Sequence, residues 1–136
     1  MSFELRRHTA DVAVEATASD LASTFEDVAA GLTAAHCESV PDGVGDRFHL
    51  GVRAESREAL LFDYLDELIY ERDVRSVLPA DHEVTIHWNG VWALEASARG
   101  VPLDAVDARE IKAVTYSEME LAETDTGWRA YVVFDV

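Results

Sequence analysis

Along most of this chain apolar and polar residues alternate with a period of two, and helical spacings of three and four interrupt the alternation twice. Phe3 and Leu5 alternate with Glu4 and Arg6, and Val12, Val14 and Ala16 with Ala13, Glu15 and Thr17. Two strands are expected there, joined around the polar turn His8-Thr9-Ala10-Asp11. The first interruption sets Leu21, Phe25, Val28 and Leu32 on one stripe, a helix running to about Cys37 with Ser19 as its cap and Asp20 in its first turn. A loop over 40–46 follows, then an alternating strand with Phe48, Leu50, Val52 and Ala54 inward. In the second interruption Ser56 caps a helix with Leu60, Leu61, Tyr64, Leu65, Leu68 and Ile69 on one broad face.

After Pro79 the period of two returns. Val84, Ile86 and Trp88 lead to Asn89-Gly90, which predicts a type I′ hairpin, and Trp92, Leu94, Ala96 and Ala98 continue on the return strand. Residues 100–109 read as a loop, Ile111 to about Glu123 as extended chain, and Thr126-Gly127 as a turn into a last strand carrying Ala130, Val132 and Phe134. The order ββαβαββββ predicts one α+β domain over 1–136, a largely antiparallel β-sheet layer with two amphipathic helices packed on it.

The 136 residues are 49% apolar, enough for a core without disulfides or metal staples. Acidic residues outnumber basic ones 27 to 11, for a net charge of −16, and Lys112 is the single lysine. Such a charge disfavours autonomous binding to nucleic acid or to an anionic membrane. Few lysines and many carboxylates suit a protein kept soluble in strong brine, as in a halophilic organism. Cys37 stands alone, which excludes an internal disulfide and fits a reducing cytoplasm. No apolar run approaches the ~18 residues of a membrane span, and Glu4, Arg6, Arg7 and His8 lie where a signal peptide needs an apolar core.

Three places mix residue types that sheet-building does not require. Asp11, in a tight connection, reads first as a turn residue bonding nearby amides, and His8 as a hydrogen-bonded turn histidine. Asp135 and the carboxylate of Val136 offer hard oxygen donors, which with a third carboxylate, for which Asp11 is the candidate, can bind Ca²⁺ or Mg²⁺. Glu110-Ile111-Lys112-Ala113-Val114-Thr115-Tyr116 holds the lone lysine, read either as chance or as a role that the arginine fork cannot fill. Asp63, Asp66 and Glu67 fall at helical spacing, and a solvated acidic face explains them. Phosphate loops, paired CxxC cysteines, zinc-binding HExxH helices and nucleophile elbows do not occur, so a self-sufficient enzyme is hard to build from these residues.

Taken together, His8-Thr9-Ala10-Asp11, the helical Leu61-Phe62-Asp63-Tyr64-Leu65-Asp66-Glu67-Leu68, Glu110 to Tyr116 and the closing Phe134-Asp135-Val136 resemble the archease family in order along the whole chain. The resemblance implies a small cytoplasmic, non-enzymatic activator of the RtcB-type tRNA-splicing ligase, promoting its guanylylation and multiple turnover. It also implies a divalent metal, most often calcium, with magnesium or manganese as alternatives, on Asp11, Asp135 and the Val136 carboxylate. His8, Lys112, Asp63 and Glu67 become candidates for partner or nucleotide contact. Two departures stand out: residues 100–109 lack the histidine many members carry before the lysine segment, and Ser117 replaces the histidine that often follows the tyrosine. A general chaperone of RNA-processing enzymes such as RNA methyltransferases, and a small metal-dependent phosphoesterase built on His8, Asp11 and Asp135, are the competing expectations.

Overall fold

The computed structural model describes residues 2–7 and 11–136, so the His8, Thr9 and Ala10 of the opening motif lie outside the described residues. Strand β1 (Ser2–Arg7) pairs antiparallel with β2 (Asp11–Ala18). Helix α1 (Leu21–His36) follows, capped by Asp20 and not by Ser19: the Asp20 backbone is extended and its carboxylate accepts from the Ser23 N–H at 2.7 Å. Aspartate satisfies the orphan amide there and its charge also complements the helix dipole. Cys37 lies just past the helix as its C-cap, buried, its thiol donating to the Ser39 carbonyl at 3.2 Å. Strand β3 (Asp46–Ala54) leads to helix α2 (Arg57–Arg75), where Ser56 caps as expected by accepting from the Ala59 N–H at 3.1 Å.

Strand β4 (Val77–Trp88) begins before Pro79 instead of after it. β4 is an edge strand, so a residue without an N–H costs the ladder little. The connection to β5 (Trp92–Pro102) spans 89–91 with a positive φ at Gly90 alone (75°), and the Asn89 N–H reaches the Val91 carbonyl at 3.1 Å. The expected type I′ turn needs positive φ at both central residues and is therefore replaced by a three-residue loop. A 3₁₀ turn at Leu103–Ala105 precedes β6 (Ala113–Thr124), which starts after Lys112, so the lysine stands ahead of a strand and not on its face. The last strand is β7 (Gly127–Asp135); a Cβ on Gly127 would lie 2.1 Å from the Ala18 carbonyl oxygen, which explains glycine at that turn.

Seven strands and two helices thus occur in the expected order, in an α+β arrangement. The anticipated single layer is two antiparallel sheets, β1-β2-β7-β6 and β3-β5-β4. Helix α1 packs between β2 and β4, and α2 between β3 and β6, so both sheets share one core. Tyr64, Phe25, Phe134, Leu60, Leu61 and Leu65 are fully buried in it. No helix among the described residues is long and apolar enough to cross a membrane.

Candidate functional site

In the four-stranded sheet β7 lies between β2 and β6, and the register sets Asp11 opposite Asp135, with Ala113 opposite Asp135 on the other side. Residues directly opposite in an antiparallel pair share a face, with Cβ atoms ~5 Å apart. The two carboxylates that the sequence singled out are therefore neighbours at one end of the sheet. Asp135 is exposed and Asp11 half-buried, and among the described residues neither has an ion-pair partner. Like charges directly opposite destabilise a sheet. Val136 is half-buried and packs against the core.

Lys112 joins the same end. Its backbone N–H donates to the Asp135 carbonyl at 2.8 Å, while its side chain is exposed. The segment carrying it is held from inside by Arg72, which is 5% exposed. One guanidinium nitrogen of Arg72 donates to the Ile111 carbonyl at 2.7 Å and lies 2.8 Å from His36 Nε2. A guanidinium has only donors, so His36 Nε2 accepts and its Nδ1–H donates to the Leu32 carbonyl at 2.9 Å. The ring is neutral: burial first, with the Arg72 and Arg109 charges adding, brings its pKa down to about 4. The Arg109 N–H and Nε–H reach the His36 and Ala35 carbonyls at 2.7 and 2.8 Å. Both helix ends thereby position the lysine segment.

Further along β6, the exposed Tyr116 ring stacks on Phe62 of α2 with centroids 4.0 Å apart and planes 3° from parallel. Asp63 lies near it: partial burial and the Asp63 charge raise the Tyr116 phenol pKa, and burial followed by the Asp66 charge raises that of Asp63. Of the two helical acids expected to make contacts, Asp63 is the one whose charge reaches Tyr116. Glu67 is raised by burial and by Glu71 and Asp66, neighbours on its own helix. His8 lies outside the described residues. Three or more histidine, cysteine or acidic side chains do not come together to hold a metal among the described residues.

The roles of Arg72 and His36 were not anticipated from the sequence. A signal was available: Leu61, Leu65, Leu68 and Arg72 form a single helical stripe, and an arginine inside an apolar face implies a buried partner.

A family model for the Archease protein family matches residues 3–136. The chain belongs to the archease family. It is 33% identical over 140 residues to protein archease of Thermococcus gammatolerans, covering 98% of each chain. Identity to protein archease of Archaeoglobus fulgidus is 30% over 139 residues, covering 100% of both. The solution structure of Protein 1598 of Methanobacterium thermoautotrophicum superposes with a TM-score of 0.87 at 28% identity, over 98% of each chain. The crystal structure of an archease from Thermotoga maritima, called a possible chaperone, superposes with a TM-score of 0.67 over 98% of each chain; at 24% identity that likeness concerns the fold.

Proposed function

We propose that this archease activates an RtcB-type tRNA-splicing ligase without being an enzyme itself, by presenting a divalent cation and Lys112 to the partner. The observation that carries the reading is the register that opposes Asp11 to Asp135 beside the lysine segment. Two unpaired carboxylates on one sheet face fit a hard cation, since they offer oxygen donors and their mutual repulsion needs a counter-charge. Asp11 and Asp135, with the Val136 carboxylate, would hold Ca²⁺, or Mg²⁺ or Mn²⁺ in its place. Such an ion supplies a concentrated positive charge open to oxygen ligands of the partner or its nucleotide. Arg72 and His36 keep the Lys112 segment rigid, and Lys112 contributes a mobile ammonium at its edge. Direct RNA binding is no part of the reading, because the net charge of −16 repels phosphates.

The test is ligase guanylylation and turnover with the cognate ligase, GTP and Mn²⁺, with and without this protein. Stimulation that Asp11→Asn and Asp135→Asn each remove is expected; absence of any stimulation would sink the reading. A general chaperone role takes its support from the description of the Thermotoga maritima relative. Affinity capture separates the two, a dominant ligase favouring activation and several unrelated enzymes favouring the chaperone. Phosphoester hydrolysis by the isolated protein would instead favour the phosphoesterase.

A further inference from the structure

The chain has three tryptophans, Trp88, Trp92 and Trp128, and they gather at one place. Trp88 and Trp92 face each other across the β4–β5 loop with ring centroids 5.0 Å apart. The Arg57 guanidinium, at the start of α2, lies 5.7 Å from the Trp92 ring centroid and 4.9 Å from that of Trp128 at the start of β7. A row of ring, ring, cation and ring thus crosses from one sheet to the other. Trp128 pairs with Ala18, at the far end of β2 from Asp11, so this cluster stands roughly 23 Å from the candidate site at ~3.3 Å per strand residue.

The inner part of the row closes the gap between the sheets, but its outer part is open. Trp88 is 58% exposed, beside the exposed Asn89 and Gly90. Exposed carboxylates border the inner part of the row: Glu123 pairs directly with Trp128, Asp125 lies in the adjoining turn, Glu58 follows Arg57, and Glu55 follows Ala54, the β3 partner of Trp92. Indole faces carry negative potential and favour a planar cation, which the seat of Arg57 already demonstrates. The net charge of −16 draws cations and repels phosphates.

We propose that the outward face of Trp88, with Trp92 behind it, is a docking point for an arginine side chain on a basic segment of a partner protein. The incoming guanidinium extends the row by one more cation, drawn by the net charge of −16. A nucleobase stacked on the same ring would bring its phosphate against the net charge of −16, which disfavours RNA as the occupant. The contact is independent of the ligase reading, since it uses none of Asp11, Asp135 or Lys112.

Because all the tryptophans lie in this cluster, indole emission excited selectively reports on it alone. The full chain is titrated with a short arginine-glycine peptide, the matching lysine-glycine peptide and a single-stranded oligouridylate. A saturable change with the arginine peptide is expected, at least threefold weaker with lysine and absent with the oligonucleotide. Trp88→Ala should weaken arginine-peptide binding roughly three- to fivefold, the size of an exposed cation–π contact, without moving the melting temperature. Trp88→Phe should recover part of it, which loss of charge attraction would not allow, since every carboxylate remains. Equal binding of both peptides, unchanged affinity in Trp88→Ala, or saturable binding of the oligonucleotide would each overturn the proposal.

Discussion

The two ends of the four-stranded sheet are built from the same three strands, yet they are held in opposite ways. At the Trp128 end the sheet is bridged to its neighbour by aromatic rings stacked around Arg57. At the Asp135 end two carboxylates meet unpaired, and the adjacent segment is fixed from beneath by the buried Arg72 and His36. One end is closed by contacts between the half-buried Trp92 and Trp128 rings and the exposed Arg57. The other leaves its charged groups open and places its rigidity one layer down, in Arg72 and His36.

Removing the support under the open end should produce the largest effect. Arg72→Met leaves the Ile111 carbonyl and His36 Nε2 without their donor, and unsatisfied buried acceptors cost about 1–3 kcal/mol each. A loss of about 3 kcal/mol in urea unfolding is expected, together with weaker ligase stimulation; an unchanged midpoint would mean that the lysine segment does not depend on this network.

Acid comes next. His36 and His82 both have folded-state pKa values of about 4 against 6.5 when unfolded, in each case chiefly because burial disfavours the charged ring. His82 touches the Thr33 hydroxyl through Nε2 at 2.8 Å, and its Nδ1 is buried without a partner. Between these values the unfolded chain binds more protons, so the contribution is complete above pH 6.5 and lost as the pH falls toward 4. Stability measured from pH 6.5 to 5 should decline with a slope approaching about 1.4 kcal/mol per pH unit for each ring. A flat profile there would contradict both neutral histidines.

A smaller effect, with a sign that distinguishes the ends, is expected of Asp11→Asn. Without divalent ions it should stabilise the protein by about 0.2–1 kcal/mol, because it removes a like charge opposite Asp135. With millimolar Ca²⁺ the parent should gain melting temperature and the variant should not. The least effect belongs to Trp88→Ala, where thermal stability should stay within about 0.5 kcal/mol because the ring is mostly in solvent. A large loss would show that the Trp88 end is structural throughout.

The element order was legible in the sequence because periods of two and three to four are local properties of the chain. The division into two sheets was not, since nothing in the alternation of Trp92, Leu94 and Ala96 states that β5 pairs with β3 as well as β4. Local chemistry also misled at the cap of α1, where Ser19 and Asp20 are both good caps and only the backbone chooses between them. Of the candidate site, Asp11, Asp135 and Lys112 were identifiable as odd residues, but their adjacency depends on a strand register set across the whole chain. Arg72 showed only as an arginine on the apolar stripe of Leu61, Leu65 and Leu68, while its partners His36 and the Ile111 carbonyl lie 36 and 39 residues away and are set by the fold.

The pairing of β2 with β7 has a further consequence for how the chain reaches its final form. The ion pair between Glu15 and Arg129 joins residues 114 positions apart, and the Asp11 and Asp135 carboxylates belong to the same pairing. Contacts of that span must meet a large loop-closure cost before they contribute, and they slow folding. The β1–β2 hairpin can form early, but β2 then waits with an open edge until β7 arrives. Interactions made after the rate-limiting step act on the way out, so a cation bound at this end would lengthen the life of the folded protein more than it hastened its formation.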